Sequence, residues 1–240
     1  MTQPSPPIHA ADVQTLHDGL LAGPAGPSGA VADGDNASSK DGDNDLWRAV
    51  QRNHRCNSLL WAEEDLARRT TVAAADIAAN KRAIDGYNQA RNDATERVDE
   101  LLLLALGLVD AESARTDSPT SCQPATARLN SETAGSMIDR LSILALKVNA
   151  MRSQTLRADV DDAHRSSSAT KLARLLQQRL DLGVCLDTLL ADALAGRAYF
   201  KVYRQFKMYN DPLFNPELVK ERVSLGRSLR ACTRGFLDNR

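Results

Sequence analysis

The stretch Leu129–Met151, LNSETAGSMIDRLSILALKVNAM, constrains the fold more than any other part of the chain. Met137, Leu141, Leu144, Val148 and Met151 recur at a spacing that puts them on one face of an α-helix, and such a face predicts burial against other helices. Ser136, followed three residues later by Asp139, has the spacing of a capping box and predicts a helix start there. Arg140 and Lys147 lie two turns apart beside the apolar face, so their charged heads must reach water, a carboxylate or a ligand.

The same periodicity recurs on either side. Leu46, Val50, Leu60 and Ala67, with Trp47 and Trp61 alongside, outline a helix ending near Arg69, its apolar side interrupted by Asn53 or His54, Asn57 and Glu64. From Asp76 to about Leu108 a longer stripe carries Ile77, Ile84, Tyr87, Ala94, Val98 and Leu101, with Arg91 at a repeat position and Asp85, Asn88, Asn92 and Asp99 on an adjoining polar face. A Ser/Thr/Pro-containing loop follows to about Ser131, and the helix after it is expected to run to about Asp162. Lys171–Leu194 resumes the pattern through Leu172, Leu176, Leu186 and Leu190, with Arg179 at a repeat position and Gly183 permitting a close helix approach. The spacing of Tyr199, Tyr203 and Phe206 predicts further helix to about Asn210, and Asn215 with Pro216 reads as the cap and first residue of a final one.

These patterns predict an all-α protein, a single helical bundle of four or five main helices over residues 46–240. Residues 1–45 differ in kind. They are rich in Pro, Gly, Ala, Ser and Asp, with one Lys against seven Asp, and read as a disordered acidic low-complexity tail in which His9 and His17 carry no signal. The remaining residues hold 29 Lys and Arg against 24 Asp and Glu, a modest positive balance that suits an anionic ligand or an ordinary solvated exterior.

Several function classes recede on composition and spacing. The longest apolar run, Leu101 to Val109, is about half a membrane span. No basic segment followed by a continuous apolar one opens the chain, and Cys56, Cys122, Cys185 and Cys232 form no CxxC pair, so a reducing, cytoplasmic setting with reduced core thiols is expected. Neither Glu-x-x-His pairs nor His-Glu-x-x-His occurs, and the pattern calls for no metal or other cofactor. Lys201, Arg204 and Lys207 beside Tyr199, Tyr203, Phe206 and Tyr209 lack a recognised nucleic-acid module and read as one basic and one aromatic side of a helix.

Four ordered segments carry a family resemblance: NSLLWAEEDLARR from Asn57, IAANKRAIDGYNQARNDATERVD from Ile77, LNSETAGSMIDRLSILALK from Leu129, and FKVYRQFKMYNDPLFNPEL from Phe200. Together they span most of residues 46–220, and over that span the chain resembles the bacterial domain-of-unknown-function family number 4254. The resemblance implies an all-helical bacterial protein, sometimes encoded among cell-envelope sugar-transfer genes, and it supplies no catalytic set to carry over. Ala134 stands where the resemblance leads one to expect proline, which leaves that turn less restrained.

The candidate site follows from the charged residues that interrupt apolar stripes. Asn57, Arg91, Arg140, Lys147 and Arg179 are the expected binding groups, the guanidinium forks suiting phosphate or carboxylate oxygens. Glu64 and Asp85 are the expected proton-transfer or hydroxyl-positioning groups. With the resemblance, they point to an anionic sugar-containing metabolite or an envelope-pathway enzyme as partner. The competing reading is a noncatalytic scaffold or homodimer whose ion pairs specify helix pairing. Asn130–Ser131–Glu132–Thr133 reads as a helix cap in preference to an anion site.

Overall fold

A computed structural model describes residues 5–23, 42–205 and 212–222. Five helices, α1 (Ala10–Ala22), α2 (Gly42–Ala67), α3 (Ala74–Ala105), α4 (Ala134–Thr155) and α5 (Asp162–Leu194), form a bundle, with two short strands, β1 (Arg128–Leu129) before α4 and β2 (Ala198–Tyr199) after α5. The connections between α2 and α3 and between α4 and α5 are only a few residues long, which makes each pair an antiparallel hairpin. The core lies between the two hairpins, where Val50, Val98, Leu102, Ile138, Leu141, Leu186 and Leu190 are at most 2% exposed.

Local chemistry explains the element ends. Thr133, and not Ser136, caps α4, its hydroxyl accepting from Ser136 N at 3.1 Å. Ser136 and Asp139 therefore make no capping box. Ala134 is the first helical residue, a position at which proline is well tolerated. The helix α4 stops at Thr155, short of Asp162, and Asp161 caps α5 through His164 N. Gly107 and Gly196, the positive-φ glycines after α3 and α5, close those helices: Leu108 N reaches Leu103 O and Arg197 N reaches Asp192 O, satisfying carbonyls of the last turns.

Two sequence expectations are corrected here. The acidic tail was expected to include Ala10–Ala22, yet this segment is a helix whose Ala10, Val13 and His17 are buried in the bundle. Its one-sided burial supplies what its 13 residues alone lack, since isolated helices of that length are marginal. Gly183 on α5 is where α1 comes close, an added Cβ there meeting Gln14 Nε2 at 2.8 Å and Ala10 Cβ at 3.3 Å. Arg179 donates to Asp18 at 2.9 Å and to Gln14 O at 3.0 Å, and Asp187 accepts from Ala10 N at 2.8 Å. The second correction concerns the segment after Tyr199, which is not helical through Gln205: β2 pairs in parallel with β1, Lys201 lies over the Tyr199 ring, and Phe200 is buried. The rest of that expected helix, from Phe206 to Asn210, lies outside the described residues.

The chain divides into two compact units at Tyr203. In the second, a helical stretch over 216–222 begins as expected, with Asn215 accepting from Glu217 N at 3.0 Å. Cys56 is the buried thiol, whereas Cys122 and Cys185 are exposed; Cys232 lies outside the described residues.

Candidate functional site

The polar residues that interrupt the apolar face of α2 meet α1, α3 and α4 in a buried seam. Asn57 Nδ2 donates to Asp139 Oδ1 at 2.8 Å and to Ser142 Oγ at 3.0 Å, while Asn53 Nδ2 donates to the same Asp139 oxygen at 2.8 Å and to Thr95 Oγ1 at 3.0 Å. His54 Nδ1 shares a hydrogen bond of 2.8 Å with Ser142 Oγ. On its other side His54 stacks against His17, ring centroids 4.5 Å apart and planes 16° from parallel.

Both imidazoles are neutral because burial raises the cost of the charged form. Burial, then the facing His54 and Arg179 charges, pushes His17 down to about 2; burial, aided by Arg179 and opposed by Asp18, brings His54 to about 4. Both ring nitrogens of His17 and Nε2 of His54 have no hydrogen-bond partner among the described residues. The seam is thus tied together at Asp139 and Ser142 and unsatisfied at the histidines.

Beside it Asp99, expected on the polar face adjoining the apolar stripe of α3, is buried under the start of α4. Its Oδ1 accepts from Gly135 N at 2.6 Å, and an added Cβ on Gly135 would lie 2.6 Å from Thr95 O, so only glycine allows this approach. Burial raises the Asp99 carboxyl to about 7, outweighing its hydrogen bonds to Thr133 and Gly135, with nearby Glu96 and Glu100 adding to the rise.

A second region is a surface groove of about 410 Å³ bordered by α2, α4 and α5, and lined by Trp61, Lys147, Ala150, Met151, Gln154, Lys171, Arg174 and Leu175. Lys171 and Arg174 are one turn apart on α5 and so share a face. None of the three cations has an acidic partner among the described residues. A groove this size suits a small molecule.

The residues expected to converge are distributed between these regions and the surface. Asn57 belongs to the seam and Lys147 to the groove. Arg179 is sealed against α1, and Arg140 pairs with Glu132 at 2.5 Å on the exposed side of α4. Arg91 is half-buried and donates to Asn92 Oδ1 at 3.1 Å. Glu64 and Asp85 are exposed and each makes an i,i+4 ion pair at 2.9 Å, with Arg68 and Lys81. Arg91, Arg140 and Arg179 thus do not share the groove.

Sequence reading missed His17, Asp139, Ser142, Lys171 and Arg174 as members of these clusters. Asn57 and Glu64, seven residues apart, share nearly one azimuth, but Asn57 lies in the buried part of α2 and Glu64 in its exposed last turn. Among the described residues no group of three or more His, Cys, Asp or Glu side chains is placed to hold a metal ion, and no helix is long and apolar enough to cross a membrane.

A helical bundle with a buried polar seam and a cation-lined surface groove is the class of protein these features define. Residues 47–202 match the family described as "Protein of unknown function (DUF4254)", and the chain belongs to that family. The match begins within α2, so α1 and its His17 lie outside the shared region. No curated protein and no solved structure matches the chain.

Proposed function

We propose that this chain is a cytoplasmic binding protein of cell-envelope glycan metabolism that holds an anionic sugar-containing metabolite in the groove at Trp61. One observation carries the reading: Lys147, Lys171 and Arg174 edge the groove with no acid partner among the described residues. Cations so placed favour phosphate oxygens, and a neighbouring indole supplies apolar contact. The glycan setting rests on the family resemblance. The lining holds no carboxylate, imidazole or thiol, which favours binding over turnover.

Titration calorimetry with a panel of sugar phosphates and nucleotide sugars tests the reading. Binding that weakens about tenfold or more on Arg174→Ala, as expected for loss of a charge-assisted contact, supports it. No heat from any anionic sugar overturns it. A second reading, a scaffold that pairs with its own copy, draws on Leu176, Leu180 and Val184, exposed apolar residues at four-residue intervals along α5. Light scattering that reports a dimer split by Leu180→Glu favours that alternative.

A further inference from the structure

We infer that the groove takes an amphiphile, a phosphate head with a single hydrocarbon chain, so that the apolar part of the ligand and not a sugar ring is the part withdrawn from water. This rests on the proposal that the groove binds an anion, and it identifies the chemistry of the other end.

The lining decides between the two occupants. Trp61, Ala150, Met151 and Leu175 give a continuous type of surface without hydrogen-bonding capacity apart from the indole N–H, and Gln154 is the one neutral polar side chain among the eight. The positions lie within helices α2, α4 and α5, whose carbonyls and amides are engaged along the helix axis. A sugar ring lowered between these side chains would lose several water contacts from its hydroxyls and recover few, a cost of the kind that excludes unpaired polar groups from apolar sites. A hydrocarbon chain has no such groups, and its burial against indole, thioether and leucine is favourable in proportion to its area.

The cations fix the head. Lys147 comes from α4 and Lys171 with Arg174 from α5, so charge reaches the groove from both helices of the hairpin. Long basic side chains lay their methylene stems along apolar surface and hold their charge at the water boundary, which places the anion at the rim and leaves the floor apolar. Three cations match a phosphate monoester, with up to two charges and three terminal oxygens, better than a singly charged carboxylate. A sugar carried on this head keeps two charges at the rim only through a diphosphate link, since a diester has one charge, and it then extends into water from the groove mouth.

The test uses the full chain carrying Trp47→Phe, so that fluorescence reports Trp61 alone, with calorimetry in parallel. The probes are straight-chain alkyl phosphates of increasing length, all below their micelle concentrations, together with alkyl carboxylates of matched length, glucose 1-phosphate and inorganic phosphate. The expected result is an affinity that rises about two- to fourfold per methylene until the groove is full, with phosphates tighter than matched carboxylates and a shift in Trp61 emission. Arg174→Ala and Lys147→Ala should each weaken every alkyl phosphate at least several-fold, while Met151→Gln should flatten the dependence on chain length. Glucose 1-phosphate binding with no gain from chain length would overturn the amphiphile and leave the anion site standing. Absence of binding by every anion would remove both. Chain-dependent binding unchanged in a Lys147→Ala, Lys171→Ala, Arg174→Ala triple variant, or equal affinity for carboxylates and phosphates, would show a general apolar surface and overturn the proposal. Binding to anionic vesicles with none to monomeric alkyl phosphate would also overturn it, by assigning the cations to a lipid surface.

Discussion

The seam and the groove are built from similar materials in opposite states of completion. In the seam, one Asp139 oxygen holds two asparagine amides, and Ser142 links Asn57 to His54, so the polar groups of α2 and α4 define each other's positions. In the groove, three cations stand beside apolar side chains with no acid to neutralise them among the described residues. The contrast separates two meanings of a polar residue on an apolar stripe. A group whose partners are already present fixes helix register; a charge that faces open space has an interaction left to make.

The largest effect expected from this contrast is at Asp139. Asp139→Ala removes two buried charge-assisted hydrogen bonds at once, leaving Asn53 only Thr95 Oγ1 and Asn57 only Ser142 Oγ and Asn53 Oδ1, and urea denaturation should show a loss of about 3 kcal/mol. A loss below about 1 kcal/mol would break the claim that the seam is interdependent.

The next effect is pH dependence. His17 and His54 have folded-state values lowered to about 2 and about 4 from 6.5, so their contribution is complete above pH 6.5 and is lost as pH falls, down to about 4 for His54 and about 2 for His17. Asp99, raised from 3.8 to about 7, has the opposite sign: its contribution is complete below 3.8 and is lost as pH rises through 7. Between about pH 6.5 and 4.5 the histidines lose roughly 4 kcal/mol and Asp99 returns roughly 2, a net loss of about 2 kcal/mol. Unfolding midpoints measured across that range should fall accordingly. The Asp99→Asn variant should lose about 4 kcal/mol over the same interval, and His17→Phe, which keeps a ring on His54, should flatten the curve. A curve unchanged by His17→Phe would place the pH sensitivity elsewhere.

The smallest effect sharpens the other half of the comparison. Lys147→Ala and Lys171→Ala should each change stability by less than about 0.5 kcal/mol, because neither residue has an acid partner among the described residues to leave behind. Equal destabilisation in the groove and the seam would erase the distinction between them.

Periodicity made the fold legible where burial is decided within one helix. Met137, Leu141, Leu144 and Val148 are all buried as their spacing predicts, and Gly183 admits a neighbouring helix. It failed where the deciding partner is distant in the chain. His17 sits in a short helix within a Pro/Gly-rich stretch, and its burial depends on His54 and on Arg179. Asp139 has the spacing of a local cap and is used instead by Asn53 and Asn57, more than eighty residues away. Repeat position placed Arg91, Arg140 and Arg179 beside apolar stripes without fixing how the stripes turn toward one another, so one faces α1, one a surface glutamate and one its own helix. The tripled cation edge of the groove was one-third legible, through Lys147.

The pairing of β1 with β2 has a topological result. Arg128 N reaches Arg197 O at 2.8 Å and Asn130 N reaches Tyr199 O at 2.7 Å, so the chain entering α4 is fastened to the chain leaving α5. The second hairpin is therefore a buckled loop, closed at its open end by main-chain bonds. A protease cut in the exposed connection near Asp117 would leave this buckle intact, and the two fragments should remain one particle held by the seam between α2 and α4.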